Sequence, residues 1–311
     1  MSAPPRDALA RMILGAALIS TTSIFVRWAH VEPTASAFYR MAFGGAMLLA
    51  LQVGRGRWRM PHAPEVAGLL LPALAFAADL MVWHRSIREV GPGLATLLGN
   101  FQVFIMAGVG IVFYRERPGL RFALGVALAL AGLWLLVGAG WQALTPAYRY
   151  GVLLGVLTGV AYAVYMLSLR RAQLRLATLT PERTLCLVSL LCAPMLGIAV
   201  AIEGAGFAIP DVQSWLALLG LGLFGQVLGW VLIARAMPQL PASLVGLLLL
   251  LQPGLSFVLD WLLFARPTSL RDWVGLALSL VGIFVASRRR GEGAKRRSRE
   301  RPAEPVKELE G

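Results

Sequence analysis

Residues 102–132 read QVFIMAGVGIVFYRERPGLRFALGVALALAG, and residues 252–282 read QPGLSFVLDWLLFARPTSLRDWVGLALSLVG. The two stretches align without a gap when the numbering is shifted by 150 residues. Matches of Leu and Ala carry little information in so apolar a chain, but matches of Gln, Arg and Gly are informative. These pair Gln102 with Gln252, Arg121 with Arg271, Gly125 with Gly275 and Gly132 with Gly282. The chain therefore contains an internal repeat of apolar span, charged hinge and second apolar span.

The composition indicates a membrane protein. Hydrophobic residues make up 58% of the 311-residue chain, charged residues only 14%, and the mean hydropathy is +0.70. Apolar stretches long enough to cross a hydrocarbon layer of about 30 Å recur along the whole chain. We therefore predict a polytopic membrane protein rather than a soluble enzyme. A hydropathy pattern that repeats in the two halves is typical of transporters built from internal repeats.

The apolar stretches predict an all-α membrane protein with ten transmembrane helices. Their expected positions are 9–28, 34–54, 64–84, 92–113, 119–138, 149–169, 181–202, 212–234, 241–264 and 270–287. Residues 9–138 form the first repeat and residues 149–287 the second. A unit of five spans ends on the side opposite to its start, so the second unit must be inverted relative to the first. Substrate sites in such folds lie near the bilayer midplane, where the repeats meet.

The distribution of arginine predicts the orientation. With a cytoplasmic N-terminus, the cytoplasmic loops and helix ends receive 13 arginines and the other side receives 7. The positive-inside rule then places both termini in the cytoplasm. The tail at 288–311 adds nine Lys/Arg against five Glu, and is too charged to fold. Because the net charge of +13 is spread over loops and this disordered basic tail, we expect no nucleic-acid partner.

Four stretches resemble a known family: SIFVRWA at 23–29, AFYRMAF at 37–43, YRERPGLRFALGVALALAG at 114–132, and the hairpin at 252–282. They are similar to EamA-type members of the drug/metabolite transporter superfamily, over about residues 10–287. The resemblance implies two EamA repeats, ten spans and a secondary transporter, more an exporter than an importer, in the bacterial inner membrane. Glu116 fits the family's first repeat, whereas Arg266 stands where the second repeat usually has Glu.

Polar side chains at membrane depth are costly, so each needs a partner or water. We expect a polar, aromatic-walled substrate cavity at the repeat interface, although each residue taken alone could equally join two helices by a hydrogen bond. The candidate substrate-binding residues are Arg40, Asp79, Trp83, Asn100, Gln102, Tyr162, Tyr165, Gln226, Trp230, Gln252 and Asp260.

Arg40 has two interpretations. It lies six residues into the second span, where a buried cation requires an acid, and Asp79 and Glu32 are the candidates. It could form a structural ion pair that joins the second and third spans. Alternatively, its forked guanidinium could bind a substrate carboxylate.

The mixture of acid, arginine, amides and aromatics suits a zwitterion. We therefore expect a small polar metabolite, such as an amino acid or an amino-acid-derived compound, including opine-type metallophores. An importer or exchanger of a vitamin or nucleotide-like metabolite remains the alternative. An intramembrane enzyme and a passive channel are rivals of other classes, but the sequence has no HExxH, GxSxG or Walker motif. We expect no cofactor or metal, and partners limited to the substrate and the lipid bilayer, with the oligomeric state left open.

Overall fold

A computed structural model describes residues 6–114, 119–176, 179–236, 239–240, 245 and 248–287, and the regular structure in these ranges is helical. Glu116, the start of the span expected at 241–264 and the tail at 288–311 lie outside the described residues. The helices are α1 (Arg6–Ser20), α2 (Thr22–Trp28), α3 (Pro33–Gly54), α4 (Ala63–Val90), α5 (Pro92–Gly99), α6 (Gln102–Tyr114), α7 (Leu120–Leu136), α8 (Pro146–Arg175), α9 (Pro181–Ile202), α10 (Val212–Gly220), α11 (Trp230–Ala236), α12 (Leu251–Phe264) and α13 (Leu270–Ser287). A 3₁₀ turn (Gly138–Ala143) precedes α8, and a π-helical segment (Leu221–Gly229) joins α10 to α11.

The lengths and composition of the helices are those of a multi-pass membrane protein. Eight helical stretches in the described residues are long and apolar enough to cross a bilayer, and α12 is a shorter apolar helix. Several helices begin at a side-chain cap, which satisfies amides that have no partner within the helix. Thr145 accepts from the Tyr148 amide and Asp211 accepts from the Ser214 amide. A hydrogen bond from His30 and the bond from Ser214 lower the pKa of the Asp211 carboxyl.

Three of the predicted spans are interrupted in the structure. The first is divided at Thr21, within a run of hydroxyl residues at 20–23 whose side chains bond to carbonyl oxygens three residues earlier. Such bonds compete with the helical ladder. The fourth is divided at Asn100 and Phe101, and the eighth contains the π-helical segment. Hydropathy averaged over a whole span does not register these breaks, because the few polar residues at them are outweighed by the apolar residues on either side.

The two halves of the chain pack against each other symmetrically. Equivalent helices of the two halves pair directly, α3 with α9 and α7 with α13, and α5 of the fourth span packs on α12 of the equivalent ninth span. Other contacts occur twice, once in each of two symmetry-related places. The first-half helix α4 packs on α8 of the second half, and their repeat equivalents also pack together, since α1 contacts α11 and the π-helical segment. In the same way, α4 contacts α9 and α3 contacts the π-helical segment. The packing thus follows the internal repeat found in the sequence.

The glycines that revealed the repeat form the crossing of α7 and α13. A Cβ atom on Gly125 would contact the Gly282 carbonyl oxygen, and one on Gly132 would contact the Gly275 carbonyl oxygen. The reverse contacts also hold, so Gly125 faces Gly282 and Gly132 faces Gly275. Small residues allow helix backbones to approach this closely in lipid, where van der Waals packing drives association. The two helices therefore run antiparallel with a two-fold pattern of contacts.

We expect Gly132→Ala to destabilise the protein by about 1–3 kcal/mol, the usual effect of overpacking. The added methyl group would collide with backbone atoms of Gly275 and Ser279, which cannot rotate away. Thermal unfolding of the purified protein in detergent measures the change. The matched control is Gly108→Ala in α6, because no atom lies within 4 Å of a Cβ at that position. Equal melting temperatures for the two variants would contradict the glycine crossing.

Candidate functional site

A cavity of about 220 Å³ lies between the two halves. Eight of the predicted site residues line it: Arg40, Asp79, Trp83, Asn100, Gln102, Tyr162, Trp230 and Gln252. The other lining residues are Ile19, Thr22, Phe76, Leu80, Thr96, Gly99, Thr158, Met166 and Leu249. The helices that the repeat brings together therefore collect most of the candidate residues at one place.

One face of α4 supplies the charged and aromatic part of the wall. Phe76, Asp79, Leu80 and Trp83 follow each other at helical spacing, so their side chains share this face. Arg40 reaches it from α3, with its guanidinium carbon 5.9 Å from the Phe76 ring centroid and 5.5 Å from that of Trp83. Contact with aromatic faces stabilises a cation that has left water.

Polar groups in the cavity wall lack partners within the protein. Arg40 is only 5% exposed and Asp79 only 6%, yet Arg40 Nε and Asp79 Oδ1 form no hydrogen bond with the described residues. Gln102 Oε1 is also buried without a partner. The direct ion pair considered from sequence is not formed, because no nitrogen of Arg40 lies within 4.0 Å of an Asp79 oxygen. Neither side chain has a hydrogen bond or an ion pair with the described residues, so both groups remain available to a molecule in the cavity.

The helix interruptions also face this cavity. Gly99 ends α5 and Gln102 begins α6, and Leu249 and Gln252 stand beside the start of α12. These positions are related by the 150-residue shift of the repeat. Irregular backbone at membrane depth is tolerated where it is buried in protein or lines a cavity. Broken helices at a repeat interface are typical of substrate sites in transporters.

Three predicted site residues lie outside the cavity lining. Tyr165 is buried behind it, with its ring stacked on Phe76 at a centroid distance of 4.4 Å. Gln226 lies in the π-helical segment, fully buried, and its Nε2 donates to Ser189 Oγ at 2.9 Å. The third is Asp260, near the end of α12.

Asp260 joins α12 to the start of α5. Its Oδ2 accepts from the Gly93 amide at 3.1 Å and from Arg266 Nη1 at 3.0 Å. Arg266 can turn back towards Asp260 because Ala265 ends α12 in the left-handed region, with φ of 47°. Arg266 also donates to the Tyr148 hydroxyl at 3.2 Å. This acid therefore has its partners within the protein, in contrast to Asp79.

The sequence reasoning missed part of the wall. Phe76 was overlooked because an aromatic residue within an apolar helix carries no signal of its own. Its position three residues before Asp79 could have identified it, since residues at that spacing share a helix face. Thr96 and Thr158 were also missed. Both are polar residues inside predicted spans, but their hydroxyls bond to carbonyl oxygens of their own helices, Pro92 and Leu154.

The arrangement can hold a small organic ion that carries both charges. A carboxylate could accept from Arg40, an ammonium group could donate to Asp79, and the aromatic rings could cover the apolar part. The described residues contain no cluster of His, Cys, Asp and Glu that could hold a metal ion. Apolar helices in two packed halves, with a polar cavity where they meet, have the architecture of a membrane transport protein.

Comparison with known proteins agrees with this class. The EamA-like transporter family model matches residues 8–138 and 149–288, and the chain belongs to this family, within the drug/metabolite transporters. The uncharacterized transporter YwfM of Bacillus subtilis is 26% identical over 262 residues, covering 82% of this chain and 84% of its own. An uncharacterized transporter of Archaeoglobus fulgidus is 25% identical over 285 residues, 90% of this chain and 96% of its own.

A solved crystal structure supports the same fold. It superposes with a TM-score of 0.58 at 21% identity, covering 91% of this chain and 98% of the other. At this level of identity the likeness shows the fold alone. The family and these relatives make the chain a transporter that spans the membrane several times.

Truncation of the two buried acids, Asp260 and Asp79, should change the stability of the protein by different amounts. We expect Asp260→Ala to destabilise the protein by about 3–5 kcal/mol, because it leaves the mostly buried Arg266 without its anion. We expect Asp79→Ala to lower the melting temperature less, because Asp79 forms no hydrogen bond or ion pair with the described residues and only a longer-range attraction to Arg40 is lost. Thermal unfolding in detergent without added substrate compares the two variants. A larger loss for Asp79→Ala than for Asp260→Ala would contradict the assigned contacts.

Proposed function

We propose that this protein is a secondary transporter with ten transmembrane helices, arranged as two inverted repeats of five. The antiparallel crossing of α7 and α13 supports the inversion. A two-fold axis that exchanges two antiparallel helices is perpendicular to them, and therefore lies in the membrane plane when the helices span the bilayer. The arginine distribution supports both termini in the cytoplasm, and the family resemblance supports the bacterial inner membrane as the location.

The substrate is a small zwitterion, such as an amino acid or an amino-acid-derived compound, including opine-type metallophores. The observation that carries this proposal is the pair of unsatisfied charges, Arg40 and Asp79, in one cavity wall. A substrate with a single charge would leave one of them unpaired. A buried charge without a partner is strongly unfavourable, so a zwitterion satisfies both where an amine or an acid satisfies one.

Transport follows from movement of the two halves around this cavity. Two ion pairs connect the halves near opposite ends of α4: Glu65 with Arg183 at 2.9 Å, and Arg85 with Glu203 at 2.6 Å. Opening the cavity to one side requires the pair on that side to separate while the other holds. The glycines of α8 at 151, 155 and 159 contact α4 or α5 closely, and such small faces permit sliding between helices.

The direction of transport is proposed as export, on the basis of the family resemblance. Import or exchange of a vitamin or nucleotide-like metabolite is the alternative. Comparative metabolomics of the medium and the cytosol, with and without the protein, distinguishes them. An exported substrate accumulates in the medium when the protein is present, and in the cytosol when it is absent. Depletion of the substrate from the medium would indicate import instead.

We expect the two charges to select different ends of the substrate. In counterflow with proteoliposomes, the wild-type protein should prefer an α-amino acid over both its decarboxylated amine and its deaminated acid. Arg40→Gln should remove the preference over the amine, and Asp79→Asn should remove the preference over the acid. Each charge-assisted hydrogen bond contributes about 1.5–3 kcal/mol, so each preference should be about tenfold or more.

Two controls separate recognition from folding. Arg40→Lys keeps the charge and loses the fork, so it should express normally and still transport poorly. Arg170→Gln removes an exposed arginine outside the cavity and should behave as the wild-type protein. Normal amino-acid preference in Arg40→Gln would show that Arg40 does not bind the carboxylate.

The proposed orientation has a direct test. A reporter that is active only in the cytoplasm, fused after residue 287, should be active, and one that requires the periplasm should be inactive. Insertion of the same reporters near residue 205, between α9 and α10, should give the opposite result. Periplasmic activity at the C-terminal fusion would overturn the orientation.

A further inference from the structure

A second cavity, of about 270 Å³, shares no residue with the central one. It lies at the end of α3 and the start of α9, and we call it the arginine pocket. Its lining residues are Leu51, Gln52, Arg55, Arg57, Arg59, Thr180, Glu182 and Arg183. Four of these eight residues are arginines, whereas Arg40 is the one arginine among the lining residues of the central cavity.

The acids near the arginine pocket do not neutralise it. Glu65 accepts from both Arg59, at 2.8 Å, and Arg183, at 2.9 Å. Glu182 accepts from Arg235 at 3.1 Å. The remaining two arginines of the lining, at 55 and 57, are exposed and form no ion pair with the described residues. The pocket therefore keeps an excess of positive charge.

Arg183 is held rigidly at the wall of the pocket. It is 6% exposed, its Nη1 donates to the Arg59 carbonyl oxygen at 3.1 Å, and its guanidinium carbon lies 5.6 Å from the Trp58 ring centroid. Its Nε is buried and has no acceptor among the described residues. Thr180 caps α9 here, so the positive end of the helix dipole adds to the same field.

We propose that the arginine pocket binds a phosphate group, supplied by the headgroup of an anionic phospholipid. Guanidinium groups and a helix N-terminus together are suited to phosphate oxygens. The lipid is favoured as the source because Val53 and Met60, beside the pocket, are 55% and 76% exposed. Apolar side chains next to basic ones are typical of contact with a membrane interface. Dissolved inorganic phosphate has the same chemistry, and the experiment distinguishes it.

The test compares full-length variants in detergent. Arg55→Gln/Arg57→Gln removes the two unpaired arginines, and the matched control Arg170→Gln/Arg171→Gln removes two exposed arginines at the end of α8. Variants of Arg183 are avoided because they would leave Glu65 with one partner fewer and weaken the fold. Thermal unfolding is followed during titration with phosphatidylglycerol, with zwitterionic phosphatidylcholine, and with inorganic phosphate against chloride at equal ionic strength.

We expect phosphatidylglycerol to stabilise the wild-type protein and the control more than phosphatidylcholine does. In Arg55→Gln/Arg57→Gln the apparent affinity should fall about fivefold or more, since an arginine near an anionic headgroup contributes about a fivefold factor. Stabilisation by inorganic phosphate, lost in the same variant, would keep the phosphate site but replace the lipid as its source. Equal responses of the two double variants, or no preference for the anionic lipid with no effect of phosphate, would overturn the proposal.

Discussion

Unpaired polar groups are strongly unfavourable in hydrocarbon, and this constraint determines where the chain can depart from regular helix. The breaks beside Asn100 and Leu250 would be untenable against lipid. They occur where the halves meet and enclose a cavity, so the polar groups they release face protein or the site. The repeat of the sequence makes this arrangement possible, because Asn100 and Leu250 occupy equivalent positions in the two halves. The same constraint that dictates the fold therefore also locates the candidate binding site.

The scaffold is symmetric, but the charges of the site are not. Gly125, Gly132 and their counterparts give α7 and α13 reciprocal contacts. By the 150-residue shift, however, Asp79 corresponds to Gly229 and Arg40 to Leu190. Only the first half supplies the cation and the anion, while the second contributes Tyr162, Trp230 and Gln252 to the wall. The residues that pack the helices therefore occur in both repeats, whereas the charged residues of the candidate site, Arg40 and Asp79, occur in one repeat.

The repeat, the membrane class and most of the candidate residues that line the cavity were predictable from the sequence, because each leaves a local signal. Gly, Gln and Arg at fixed spacing revealed the repeat, and isolated polar residues in apolar spans pointed to eight members of the cavity wall. Whether a polar side chain faces the cavity or a partner is decided by tertiary contacts that no local pattern encodes. Asp79 and Asp260 are alike in sequence context, yet Arg266 and the Gly93 amide satisfy only Asp260. The helix breaks were not predicted, because the hydropathy of a whole span is dominated by the apolar residues on either side of each break.

The separation of Arg40 from Asp79 is itself suited to a carrier. A direct ion pair in a dry wall would neutralise both groups, and a substrate would have to break it before binding. With the groups apart and flanked by Phe76 and Trp83, each charge keeps its capacity to bind. Two buried groups without direct partners destabilise the fold. Contacts elsewhere, including the Asp260–Arg266 pair and the glycine crossing, offset this effect. Under the proposed function, a zwitterion pairs with both groups and so stabilises the arrangement that encloses it.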